Sequence, residues 1–77
     1  MAETTQYKIE DVAEYMVALV NEFGKRHTLS DEQAFSYMYR YGAIDDIVSC
    51  YGAAHTLSFD DVCQMVENIC RRKGGKI

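Results

Sequence analysis

Apolar positions recur at helical spacing along most of this chain, and glycines and hydroxyl-bearing residues divide them into four segments. At about 100° per residue, Ile9, Val12, Met16, Leu19, Val20 and Phe23 fall on one stripe, with Glu10, Glu14 and Asn21 opposite. This predicts a helix over 7–23. Gly24 would be its left-handed stop, and Lys25 and Arg26 lie where the negative end of the helix dipole favours cations. Ser30 and Gln33 have the spacing of a capping box and open a second helix over 31–41, with Asp31 and Glu32 in its first turn. Leu29 and Ala34 are spaced to staple across that cap, and Gly42 ends the helix. Ile44, Ile47, Val48 and Tyr51 predict a shorter helix over 44–51, stopped by Gly52. Ser58 opens the last, over 59–73, with Leu57 placed to staple onto Val62. Its stripe of Phe59, Val62, Met65, Val66, Ile69 and Cys70 is the cleanest in the chain, and Gly74-Gly75 follows.

No segment alternates with period two long enough to require a strand. The expected fold is all-α, a small bundle of four helices. His27-Thr28-Leu29-Ser30 recurs as His55-Thr56-Leu57-Ser58. Two similar helix starts explain that echo better than a duplicated unit, since cap chemistry alone accounts for the leucine and serine.

Length and composition narrow this further. Seventy-seven residues suffice for one core but not two, so one domain over 1–77 is expected, with short flexible ends at 1–5 and 74–77. There is no proline to interrupt a helix. A net charge of -4 argues against general attraction to nucleic acid. No apolar run approaches the roughly 20 residues of a membrane span, so no membrane partner is expected. The opening Met1-Ala2-Glu3-Thr4-Thr5 lacks the basic and apolar regions of a signal peptide. Cys50, Cys63 and Cys70 form an odd set without close pairing, which fits free thiols in a reducing cytoplasm.

Catalytic and metal chemistry find little support. Cys63 and Cys70 share one helix while Cys50 and His55 lie on another segment, and this is not the paired spacing of a structural zinc site. Cys50 and His55 could form a nucleophile pair only with an orienting third group and an oxyanion hole, and neither is evident. Asp45-Asp46 and Asp60-Asp61 sit in or near first helical turns, where dipole complementation accounts for them. The expectation is therefore no enzyme, no metal and no cofactor. Arg71, Arg72, Lys73 and Lys76 form a basic tail that would suit a small nucleic-acid-binding regulator, although cations also favour the last turn of a helix.

Helix two is the most informative segment. Its apolar and aromatic arc, from Tyr37 through Ala34 and Phe35 to Tyr39, spans about 200°, twice the stripe that packing on one side needs. Either this helix is covered by several neighbours or an aromatic edge of Phe35, Tyr37 and Tyr39 stays open to a partner. Exposed aromatics of this kind anchor protein interfaces. The leading expectation is thus a non-enzymatic interaction module that binds another protein or a second copy of itself.

Tyr41-Gly42-Ala43-Ile44-Asp45, then Tyr51, then His55-Thr56-Leu57-Ser58 and the Cys70 to Gly74-Gly75 ending carry a resemblance. Over about residues 9–75 the chain resembles a family of small bacterial proteins known only as a domain of unknown function. Its members share a Tyr-Gly-x-Ile-Asp segment and a His-Thr pair before the last helix. This sequence departs from the pattern at Ala43, where a second glycine is frequent, and at Asp46, where an aromatic or aliphatic residue is usual. Those departures imply slightly different packing of the last helix. The family supplies no catalytic residues. The resemblance implies a neighbour like an ADP-ribosyltransferase toxin, with this chain as partner or neutralising protein. Physically, Tyr41, Gly42, Asp45, Tyr51, His55 and Thr56 read as structural: two turn anchors, a left-handed stop, a favourable first-turn charge and two groups for loop amides.

Overall fold

A computed structural model describes residues 7–77; the expected loose end at 1–5 lies outside them. These residues form five helices and no strand, so the expected all-α bundle is present with one more helix than anticipated. They are α1 (Ile9–His27), α2 (Asp31–Arg40), α3 (Ala43–Ser49), α4 (Tyr51–Ala54) and α5 (Phe59–Arg72).

The cap chemistry of α2 and α5 is realised. Ser30 Oγ accepts the Gln33 N–H at 3.1 Å while Gln33 Oε1 accepts the Ser30 N–H at 2.9 Å, a complete capping box. Ser58 Oγ accepts the Asp61 N–H at 3.1 Å. Each bond satisfies a first-turn amide that the helix cannot reach. Leu57 remains 44% exposed, so it covers the α5 cap only in part.

Two boundaries differ from expectation. Gly24 is a buried interior residue of α1, which continues to His27. A Cβ built there would lie 2.8 Å from the Leu29 carbonyl oxygen and 3.4 Å from Ala34 Cβ, so its bare Cα permits the close approach of α2's leading segment. Thr28 takes the left-handed role instead, at φ 59°, and donates its backbone N–H to the Gly24 carbonyl, which also accepts the Leu29 N–H at 2.8 Å. The second difference is at Cys50, whose φ of -114° and ψ of 26° break the predicted third helix into α3 and the single-turn α4. Gly52 therefore lies within α4 and ends nothing; a Cβ there would meet the Tyr7 hydroxyl at 2.8 Å.

The buried residues form one cluster. Leu19 and Phe23 of α1, Met38 of α2, Ile47 of α3, and Val62 and Val66 of α5 are its largest aliphatic and aromatic members, each 0% exposed. Burying each such side chain is worth about 1.5–3 kcal/mol. α1 packs against α2, α3 and α5, whereas α2 packs chiefly against α1 and α3. Ile9, expected on the buried stripe, is 84% exposed, while its neighbours from Leu19 onward are covered. Residues 74–77, expected to be a loose end, are tied back: the Gly75 N–H reaches the Cys70 carbonyl at 2.8 Å and Ile77 rests against the core. The radius of gyration, 12.3 Å, is close to the roughly 11–12 Å of a compact chain this long.

Two contacts between distant segments join the ends of the bundle. Arg26, in the last turn of α1, pairs with Asp60 in the first turn of α5. His27 Nε2 meets Glu67 Oε2 at 2.9 Å, with both side chains largely covered.

Candidate partner surface

Burial of Ala34 and Met38 fixes the inward face of α2 and decides what its remaining aromatics do. Phe35 and Tyr39, one turn apart, stack with ring centroids 5.9 Å apart and planes inclined by 11°. They remain 46% and 62% exposed. Tyr37 points elsewhere. Its ring lies 6.1 Å from Phe23 and 5.0 Å from Tyr41, and its hydroxyl accepts the Ile77 N–H at 2.9 Å. Of the three aromatics singled out from the sequence, Phe35 and Tyr39 share an open edge and Tyr37 clamps the C-terminal segment. The overwide arc reflects both uses.

Phe35 also borders a feature the helical pattern did not reveal. Met16, Val17 and Val20 of α1, Phe35 of α2 and Ile44 of α3 line an apolar groove of about 340 Å³, with Asp31 and Glu32 on its rim. Val17 is 69% exposed. Its position off the α1 stripe, apolar yet facing away from Leu19, was the one available signal. Asn21 Nδ2 donates to Asp31 Oδ1 at 3.1 Å and joins the two helices at the groove's end.

The motif residues hold turns. Gly42 is left-handed at φ 81° between α2 and α3, Tyr41 is half-buried beside Tyr37, and Asp45 occupies the first turn of α3. Tyr51 lies edge-on to Tyr7 and Tyr15, at 4.9 and 5.3 Å, and stacks on His55 at 4.6 Å. His55 Nδ1 donates to the Tyr51 carbonyl at 2.9 Å and Thr56 Oγ1 to the Ala53 carbonyl at 2.7 Å. Both groups thus satisfy carbonyls at the end of α4, not the loop amides expected from sequence. The echoed His27 and Thr28 make neither contact, since His27 faces Glu67 and Thr28 is left-handed. The echo is a likeness of caps.

His55 and Cys50, the pair weighed from the sequence, have these surroundings. His55 turns its Nδ1 to the Tyr51 carbonyl and its ring to Tyr51, with Cys50 half-buried and unoxidised nearby in sequence. Among the described residues no cluster of three His, Cys, Asp or Glu side chains could hold a metal. Burial pushes the thiols of Cys63 and Cys70 up from their ordinary value, with the Arg26 guanidinium opposing this at Cys63. Burial likewise raises the Tyr15 hydroxyl, with neighbouring Cys50, Cys63 and Tyr51 adding to it, and that hydroxyl donates to the Ala54 carbonyl at 3.3 Å. Of the basic tail, Arg72 and Lys73 line a small depression together with Asp46 and Ile69. No helix of the described residues is long and apolar enough to cross a membrane.

These features define a small all-α protein with an acidic surface and an open aromatic edge. The model of a family described as a protein of unknown function (DUF3791) matches residues 14–73, and the chain belongs to that family. The match agrees with the resemblance drawn from the tyrosine-glycine and histidine-threonine motifs. No curated protein and no solved structure matches the chain.

Proposed function

We propose that this chain is a non-enzymatic protein-interaction module whose contact surface is the Phe35–Tyr39 edge of α2. One observation carries this reading: two large aromatics stack on each other in the open, one turn apart, on a helix that buries Ala34 and Met38 and leaves these two rings uncovered. Stacking pre-orders both rings, which lowers the entropic cost of docking them. Three free cysteines suit a reducing compartment, so the cytoplasm is the expected place of action. The family resemblance makes a neighbouring ADP-ribosyltransferase-like toxin the first partner to test.

The experiment is co-purification of the tagged chain with that neighbour, beside light scattering of the chain alone. Capture of the neighbour at defined stoichiometry, lost in Phe35→Ala/Tyr39→Ala, supports the reading. Equal capture by the wild type and the double variant would refute the aromatic edge. A homodimer that the same variant dissolves makes the partner a second copy.

A further inference from the structure

The α1–α2–α3 groove borders the aromatic edge but has chemistry of its own. At about 100° per residue, Ile9, Ala13, Met16, Val17 and Val20 fall within one arc of α1. Ile9 and Val17 are 84% and 69% exposed, and Ala13 is also open. The arc runs about 17 Å along the helix, some three turns. Ile44 faces it from α3, and Val48, one turn further along α3, is 44% exposed. The lining is helical throughout, so it offers no free strand edge for an extended peptide to pair with. Side chains entering a trough between helices are the mode by which a helix docks.

The rim specifies the charge of that helix. Asp31 and Glu32 stand at the α2 end of the groove. Glu10 and Glu14 are exposed beyond Val17, on the side of α1 away from Met16 and Val20, and Asp45 follows Ile44. Asn21 engages only one oxygen of Asp31. No lysine or arginine lines the groove. A second copy of this chain would set the same carboxylates against one another, and like-charge juxtaposition across an interface is costly. A helix with an apolar stripe flanked by lysine or arginine would meet both the trough and its rim.

We propose that this groove binds one face of a basic amphipathic helix presented by a partner protein. The inference deepens the interaction reading and rests on it, with Phe35 shared between edge and groove. Val17 belongs to the groove alone and Tyr39 to the edge alone, so the two can fail separately.

The probe is a synthetic helical peptide of about five turns, with leucines at i, i+4, i+7 and i+11 and lysines beside them. Its controls are the same peptide with glutamate for lysine and a scrambled lysine peptide of equal charge. Fluorescence anisotropy with the full chain is expected to show the lysine helix binding about tenfold or more tightly than either control. Val17→Ser should weaken it by about tenfold, and Asp31→Asn/Glu32→Gln should weaken it and flatten its salt dependence. Because Val17 is exposed, its variant keeps the fold, which circular dichroism checks. Equal binding of the ordered and scrambled lysine peptides, or of the glutamate helix, would overturn the proposal. So would a homodimer that Val17→Ser dissolves. Partner capture that Tyr39→Ala abolishes and Val17→Ser leaves intact removes the groove and keeps the module. The reverse pattern keeps the groove and removes the aromatic edge.

Discussion

Ser30 and Ser58 each accept an amide hydrogen bond that no helix carbonyl can supply. Ser58→Ala is expected to cost about 1 kcal/mol, read as a lower urea midpoint with unchanged slope. An unaltered midpoint would place the start of α5 elsewhere. Ser30→Ala removes one of two reciprocal bonds and should cost at least as much. Both caps were legible because the serine and its partner lie three residues apart in sequence. The thiols act at the other end of the pH scale. Burial holds Cys63 and Cys70 above their ordinary value of 9.0, so the folded chain keeps protons that the unfolded chain releases. Their contribution is complete below that ordinary value and is lost as pH rises through the higher folded-state values. Urea midpoints should therefore fall as pH rises above about 9, and the fall should be shallower in Cys70→Ala. Tyr15 adds to the decline at still higher pH.

Whole elements were readable wherever their boundary was set locally. α2 and α5 begin where their caps predict, and the α5 stripe buries Val62, Val66 and Cys70 as drawn. The end of α1 was not readable, because a glycine that stops a helix and one that lets two segments touch look identical in sequence. At an ordinary interior site, Gly→Ala strengthens a helix by about 0.5–1 kcal/mol. Gly24→Ala should do the reverse, since the new methyl would press on the Leu29 carbonyl at 2.8 Å. A lower thermal midpoint confirms that tight crossing, and a higher one means the segment can yield. The kink at Cys50 had no punctuation at all. It arises where α3 ends and α4 turns Tyr51 toward Tyr7 and Tyr15, contacts made across the fold.

At the scale of the molecule, helical periodicity gives the faces of each rod but not which faces meet. Ile9 lies on the apolar stripe and is exposed, while Val17 lies off it and lines the groove. The pairs Arg26–Asp60 and His27–Glu67 join segments far apart in the chain, and nothing local marks them. The candidate surface was half legible for the same reason. The aromatic excess of α2 was visible, but its division into the Phe35–Tyr39 edge and the inward Tyr37 depends on where Phe23 and Ile77 lie. Phe35→Ala/Tyr39→Ala should cost only about 1 kcal/mol of folding free energy, because Tyr39 is largely open and Phe35 is half-covered where it lines the groove beside Val20. A larger loss in a denaturation curve would make them structural. Thr28 bears on the whole fold too. A branched side chain sits there in a backbone shape that asparagine tolerates more easily, and its own side chain is open to solvent. Thr28→Asn is expected to relieve about 1 kcal/mol, or roughly 4–8 °C of heat tolerance for a domain this size. The joint between the first two rods thus works as a thermostat, set by one letter that touches neither the interior nor the docking face.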